Sequence, residues 1–194
     1  MRARMALMIS GTACHIREVK LSRKPEELIA ASPKATVPVI VHADGSVIEE
    51  SIEIMRWSLE RNDPEGWMDR EDRALIEAND GPFKHHLDRY KYPERHISNP
   101  AEHRAAGLAL LWALEARLST QSNLCGDRRG ITDAAIFPFV RQFAEIDRSW
   151  FDAQPLPGLQ AWLRGHLAST LFGAIMVRLE PWRPGDAPLA FPAD

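Results

Sequence analysis

The chain has 194 residues, 45% of them apolar, with a formal charge of −3 and a pI near 6.2. That length suits one large domain or two small ones and supplies enough apolar side chains for a core. No stretch reaches the ~20 apolar residues of a membrane span, and the scattered Lys and Arg do not form the basic stripe of a nucleic-acid binder, so neither membrane nor nucleic acid is expected as a partner. Cys14 and Cys125 make neither a disulfide framework nor a metal-ligand spacing, which fits a reducing, cytoplasmic setting.

Met1-Arg2-Ala3-Arg4 followed by Met5–Ile9 and then Gly11-Thr12-Ala13-Cys14 faintly imitates a secretion signal. The apolar run is short of the about 7–15 residues such a signal needs, and strand-like sequence follows Cys14 at once. A short helix over residues 1–10, stopped at Gly11, is the simpler reading. His15–Leu21 alternates and predicts a strand. Pro25 suits the first turn of a helix in which Leu28 and Ile29 form the buried side. Thr36–Val41 is β-branched and predicts a strand with Pro38 at its start; Asp44-Gly45 is a hairpin turn signal, and Ser46–Ile48 is the returning strand. Ile52, Ile54, Met55 and Leu59 give residues 50–61 a helical face.

Asn62-Asp63-Pro64-Glu65-Gly66 has the composition of a linker. Beyond it the pattern is helical. Leu108, Leu111, Leu114 and Leu118 mark one face, and Ile136, Phe139, Phe143 and Ile146 another, with Pro138 inside that helix. Pro157-Gly158 opens a further helix, and the tail from Pro181 is expected to be irregular. Asp133 is expected to act structurally, as half of a capping box whose other half is lost at Gly130. His85 and His86 are adjacent on a helix and are expected to diverge rather than share a metal, so no metal site is expected; Trp112, Trp150 and Trp162 are expected in the core, and Cys125 as an ordinary thiol.

Ser32-Pro33-Lys34-Ala35-Thr36-Val37-Pro38-Val39, then Asp44-Gly45, then Ile48-Glu49-Glu50-Ser51, resemble the glutathione site of the glutathione transferase family, closest to its omega-like, cysteine-type members. Gly130–Pro138 is similar to the start of that family's central helix in the second domain, and Pro181–Asp186 also fits. The resemblance implies an α/β thioredoxin-like domain over residues 1–62 and an all-α domain over residues 69–194. It implies a glutathione site made of Lys34, Val37, Pro38, Glu50 and Ser51. The Val37–Pro38 peptide would be cis, leaving the Val37 backbone to pair with the cysteinyl unit of glutathione. Glu50 and Ser51 at a helix start would take the γ-glutamyl ammonium and carboxylate, and Lys34 the glycyl carboxylate. A strand-edge proline, ordinary helix capping and a solvated lysine are the plainer readings of these residues.

The same resemblance places the family's first strand and its catalytic cysteine or serine ahead of Met1, so the first strand is expected to be missing and no catalytic residue is assigned within the chain. Cys14 follows the far end of the first helix, about 15–20 Å from the catalytic position. A start displaced by roughly a dozen residues is expected, with a degenerate protein as the alternative, and the strands around residues 15–21 and 37–41 would flank the gap. The function implied is glutathione-dependent transfer, either thiol transfer or conjugation, onto an unknown small electrophile or disulfide. The second substrate is expected near Phe83, His86 and Tyr90, and a homodimer is the family default. A non-catalytic glutathione-binding or protein-interaction module is the alternative.

Overall fold

The computed structural model describes residues 1–192 of the chain. In chain order the elements are α1 (Arg2–Ser10), β1 (Cys14–Ile16), α2 (Glu26–Ala31), β2 (Ile40–Val41), β3 (Val47–Ile48), α3 (Ser51–Arg61), a 3-10 turn (Met68–Arg70), α4 (Arg73–Ala78), a π-helical turn (Asn79–Phe83), α5 (Lys84–Lys91), α6 (Pro93–His96), α7 (Pro100–Leu118), α8 (Ile131–Ala144), α9 (Arg148–Asp152), α10 (Pro157–Leu167), α11 (Thr170–Ile175) and β4 (Leu189–Phe191). They form two compact units, Met1–Met68 joined by the tail from Thr170, and Asp69–Ser169. The tail, expected to belong with the second domain, folds with the first.

In the first unit α1 buries Ala3, Met5, Ala6 and Leu7 and packs on α3, which buries Ile54, Met55 and Leu59. Gly11, at φ 64°, takes the left-handed conformation that stops α1. On its other side α1 packs on α11, and Arg4 ties the two by donating to the Ile175 carbonyl at 3.2 Å while pairing with Glu18. A guanidinium at the carbonyl end of α11 also meets the negative end of the helix dipole.

The strand expected at His15–Leu21 is shorter, Cys14–Ile16; beyond it Glu18 makes an isolated bridge with Pro181, and a turn closed by Arg23 N–H on the Lys20 carbonyl follows. Its partner is β4 of the tail, antiparallel with Cys14 opposite Phe191 and Ile16 opposite Leu189. Trp182 N–H donates to the Glu18 carbonyl at 2.8 Å, and the Arg17 guanidinium lies 4.4 Å over the Trp182 ring. The tail is therefore ordered against β1 rather than irregular.

The second ladder pairs β2 with β3, Ile40 opposite Ile48 and Val41 opposite Val47. The strand expected from Thr36 begins only at Ile40; Pro38 has no N–H to give a ladder. The hairpin turn is the one expected, with Gly45 at φ 85° and Asp44 Oδ1 accepting from both the amide and the hydroxyl of Ser46 at 2.8 and 2.7 Å. The two stretches expected to flank one central position thus lie in separate two-stranded ladders. The helix α2 starts after Pro25 as expected, but Ile29 is 49% exposed, so the expected buried side of Leu28 and Ile29 does not form.

The second unit is built on α8, buried on nearly all sides from Ile131 to Ala144, Pro138 included. It packs against α4, α5 and α10, and α7 packs against α5 and α10. Leu111, Leu114 and Leu118 of α7 are buried on the predicted face, and Gly107 admits the Phe143 ring so closely that an added Cβ would stand 2.6 Å from it. Trp112, expected in the core, is 45% exposed on the other face of α7, whereas Trp162 is buried. Glu115, itself buried, accepts from the amides of Gly158 and Leu159 at 3.1 and 2.8 Å and so caps α10.

Candidate functional site

The expected site residues come from two turns at one end of the β2–β3 ladder. The register that sets Ile40 opposite Ile48 carries Pro38, before β2, and Glu50, after β3, to the same end. The Val37–Pro38 peptide is cis. Val37 is 42% exposed, and among the described residues its N–H and C=O have no hydrogen-bond partner. An exposed residue with both backbone groups unpaired offers a donor and an acceptor to an incoming chain, as an open strand edge does.

Glu50 is the residue before α3, and its side chain caps no amide of the helix. Among the described residues the first amides of α3 have no acceptor, and they stand as donors at the positive end of an eleven-residue helix. Ser51 opens the helix, and its hydroxyl oxygen accepts from Arg2 at 3.5 Å. Arg2 is buried, which carries a cation from α1 to the foot of this site.

Lys34 stands in the turn after α2, where Ala35 takes φ 50° and its amide donates to the Ser32 carbonyl at 2.7 Å. Its ammonium pairs with Glu49 at 3.1 Å and with Glu50 at 3.5 Å. Glu49 also accepts from the buried Ser32 hydroxyl. The Ser32 hydrogen bond first, and Lys34 second, hold the Glu49 carboxyl below the usual carboxylate range, while the Glu49 hydrogen bond and charge raise the Lys34 ammonium. Lys34, Glu50 and Ser51 are thus gathered around the α3 N-terminus. Glu49 and Arg2 were not anticipated from the sequence; the pairing of Glu49 with Glu50 just before a helix was the only signal for the first, and Arg2 carried none.

This arrangement offers an ammonium, a carboxylate, a hydroxyl, free helix amides and an unpaired backbone edge. Together these complement a short extended peptide bearing both charges. The region offers no activated thiol. Burial pushes both the Cys14 and the Cys125 thiol up, away from the thiolate form.

Phe83 and Tyr90, expected to meet a second substrate, are buried and packed on Phe143 with ring centroids 5.5 and 5.3 Å away, so both are core residues. His86 lies against His103 and near His85. One nitrogen from each of the three rings lies within 4.8 Å of the other two. Contrary to the expected divergence, the His85 and His86 rings lie 5.1 Å apart, and the third ring comes from a different helix.

Two family models match the chain: one described as glutathione S-transferase, N-terminal domain, over residues 1–61, and one as glutathione S-transferase, C-terminal domain, over residues 66–165. No curated protein matches it. Among solved structures, a possible glutathione S-transferase from Rhodopseudomonas palustris superposes with a TM-score of 0.72 at 21% identity, covering 94% of this chain and 87% of the other. Glutathione transferase F7 from Populus trichocarpa gives a TM-score of 0.74 at 15% identity, covering 90% and 91%. A glutathione transferase from Burkholderia graminis, solved with two glutathione molecules bound per subunit, gives 0.70 at 19% identity, covering 90% and 81%. These likenesses establish the two-domain fold, a small thioredoxin-like α/β domain and a helical domain. With both family models matched across most of its length, the chain belongs to the glutathione S-transferase family.

Proposed function

We propose that the chain binds glutathione through Lys34, Val37, Pro38, Glu50 and Ser51, and serves glutathione-dependent thiol transfer or conjugation. The observation that carries this is the Val37 backbone, exposed and unpaired at the same end of the ladder as the uncapped α3 N-terminus. The cysteinyl unit of glutathione pairs with the Val37 N–H and C=O as an added strand would. Its γ-glutamyl carboxylate accepts from the first α3 amides and the Ser51 hydroxyl, and its ammonium meets Glu50. Lys34 exchanges part of its contact with Glu50 for the glycyl carboxylate. The glutathione thiol gives its proton to solvent; in conjugation the thiolate sulfur then bonds to an electrophilic carbon as a leaving group departs with the electron pair, and in thiol transfer it bonds to a disulfide sulfur as a thiolate leaves. The Thr36–Val39 and Glu50-Ser51 pattern supports the omega-like, cysteine-type branch, with a cytoplasmic homodimer as the setting.

A second reading, a glutathione-binding or protein-interaction module without turnover, is favoured by one observation: burial raises both thiols of the chain. Retention on immobilised glutathione with elution by free glutathione, followed by turnover assays with aryl halides and mixed disulfides, separates the readings. Retention with turnover supports the transferase. Retention alone supports the module, and no retention overturns both glutathione readings.

A further inference from the structure

The helical unit carries a cluster of histidines that the glutathione chemistry does not use. His85 and His86 lie in the first turn of α5, and His103 lies in the first turn of α7, which packs on α5. Asn99 fixes that turn of α7: its side chain accepts from the Ala101 amide at 3.0 Å, and its carbonyl accepts from the His103 amide at 3.3 Å. The three rings are mutually close, with centroids 5.1 Å apart for His85 and His86, 5.1 Å for His86 and His103, and 5.9 Å for His85 and His103. Nδ1 of His86 and Nδ1 of His103 are 2.9 Å apart. Two ring nitrogens at that distance share one hydrogen, so one ring donates and the other offers its lone pair.

We propose that His85, His86 and His103 form a binding site for a divalent transition-metal ion of the zinc, nickel and copper class. Imidazole nitrogen suits these ions and not magnesium or calcium. Metal–nitrogen bonds of about 2.0–2.1 Å set neighbouring ligand nitrogens about 3.3 Å apart in a tetrahedron. The His86–His103 pair opens slightly from 2.9 Å to reach this, and the remaining separations, up to 4.8 Å, contract. That contraction falls to His85, the exposed member of the three. The ion replaces the hydrogen shared by the two Nδ1 atoms, that proton moving to the far nitrogen of its own ring. Three protein ligands leave a further position for water.

Arg89 opposes the site. One turn along α5 it donates to His85 Nδ1 at 3.0 Å, occupying that lone pair and setting a positive charge beside the cation site. It is therefore a built-in competitor, and its removal strengthens binding.

The test is a titration of the tag-free, metal-stripped full chain with Zn²⁺ in competition with a chromophoric chelator. The expected result is one equivalent per chain, weakened about tenfold or more by His86→Asn or His103→Asn. Binding is lost in the triple variant, unchanged in the exposed control His15→Asn, and tightened in Arg89→Gln. Substitution with Co²⁺ adds visible bands that disappear in the same variants. If a His86 or His103 variant loses its circular dichroism, exposed His85→Asn decides on the same scale. Absence of stoichiometric binding, or binding that survives the triple variant, overturns the assignment.

Discussion

The indole N–H of Trp162 donates to Oδ1 of Asp133 at 2.8 Å, and both residues are buried in the helical unit. The same carboxylate accepts from the Leu124 amide at 2.9 Å and the Gly130 amide at 3.0 Å. One side chain thus binds α8 to α10 and to the loop before α8. Burial nonetheless pushes the Asp133 carboxyl up, its three donors offsetting that only in part.

Asp133→Ala leaves three buried donors without an acceptor, so it should destabilise the protein by about 3 kcal/mol or more, with Asp133→Asn costing less. Urea unfolding followed by Trp fluorescence measures this. A loss under about 1 kcal/mol would show that water or a rearranged loop satisfies these donors.

His166 stacks on Phe137 at 5.0 Å and meets Trp162 at 4.6 Å. Burial first, then the Arg129 charge, lowers its pKa to about 3. The folded state holds it neutral, while the unfolded chain protonates it near the ordinary value of about 6.5. Its contribution to stability is therefore complete above about pH 6.5 and is lost as pH falls toward 3, at about 1.4 kcal/mol per pH unit. Asp133, raised rather than lowered, acts in the opposite sense at the acidic end of that window. Comparing His166→Leu with the parent chain isolates the histidine: the parent's loss of stability between pH 6.5 and 5 should be flattened in the variant. Parallel curves would contradict a buried neutral imidazole.

Much of the fold was legible because periodicity and punctuation are local. Gly11 ends α1, Pro157 opens α10, and the spacing of Leu111, Leu114 and Leu118 predicts the buried face of α7. The tail strand was not legible. Leu189–Phe191 is three residues long, and its partner Cys14–Ile16 lies at the other end of the chain, so no local pattern reports the pairing. Trp112 misled because an aromatic at a helical position does not say which side of α7 it faces. At the candidate site the motif names Val37, Pro38, Glu50 and Ser51, which the ladder register carries to one end, but it does not report the Lys34 pairing with Glu49 and Glu50, which depends on two turns meeting. The histidine cluster was missed for the same reason: its third ring lies 17 residues beyond His86.

Gly158 marks a contact that tolerates no side chain. A Cβ there would stand 2.9 Å from the Leu118 carbonyl oxygen and 3.2 Å from Oε1 of Glu115, the carboxylate that caps α10. Gly158→Ala should therefore cost about 1–3 kcal/mol by thermal or urea unfolding. Wild-type stability in this variant would mean that α7 and α10 are less tightly joined than described.

The pairing of β1 with β4 predicts that ending the chain after Pro188 deprotects the amides of Cys14–Ile16 while leaving those of α8 unchanged. Hydrogen exchange with peptide-level readout measures both at once. Unchanged protection at residues 14–16 would show that the tail adds nothing to this edge.

Calorimetric titration of glutathione into the wild-type chain and into Glu50→Ala and Ser51→Ala tests the glutathione site most directly. The account predicts binding by the wild type, with each substitution removing about 1–3 kcal/mol, roughly 5- to 150-fold in Kd, at unchanged circular dichroism. A wild-type chain that binds no glutathione, or variants that bind it as tightly as the wild type, would contradict the account.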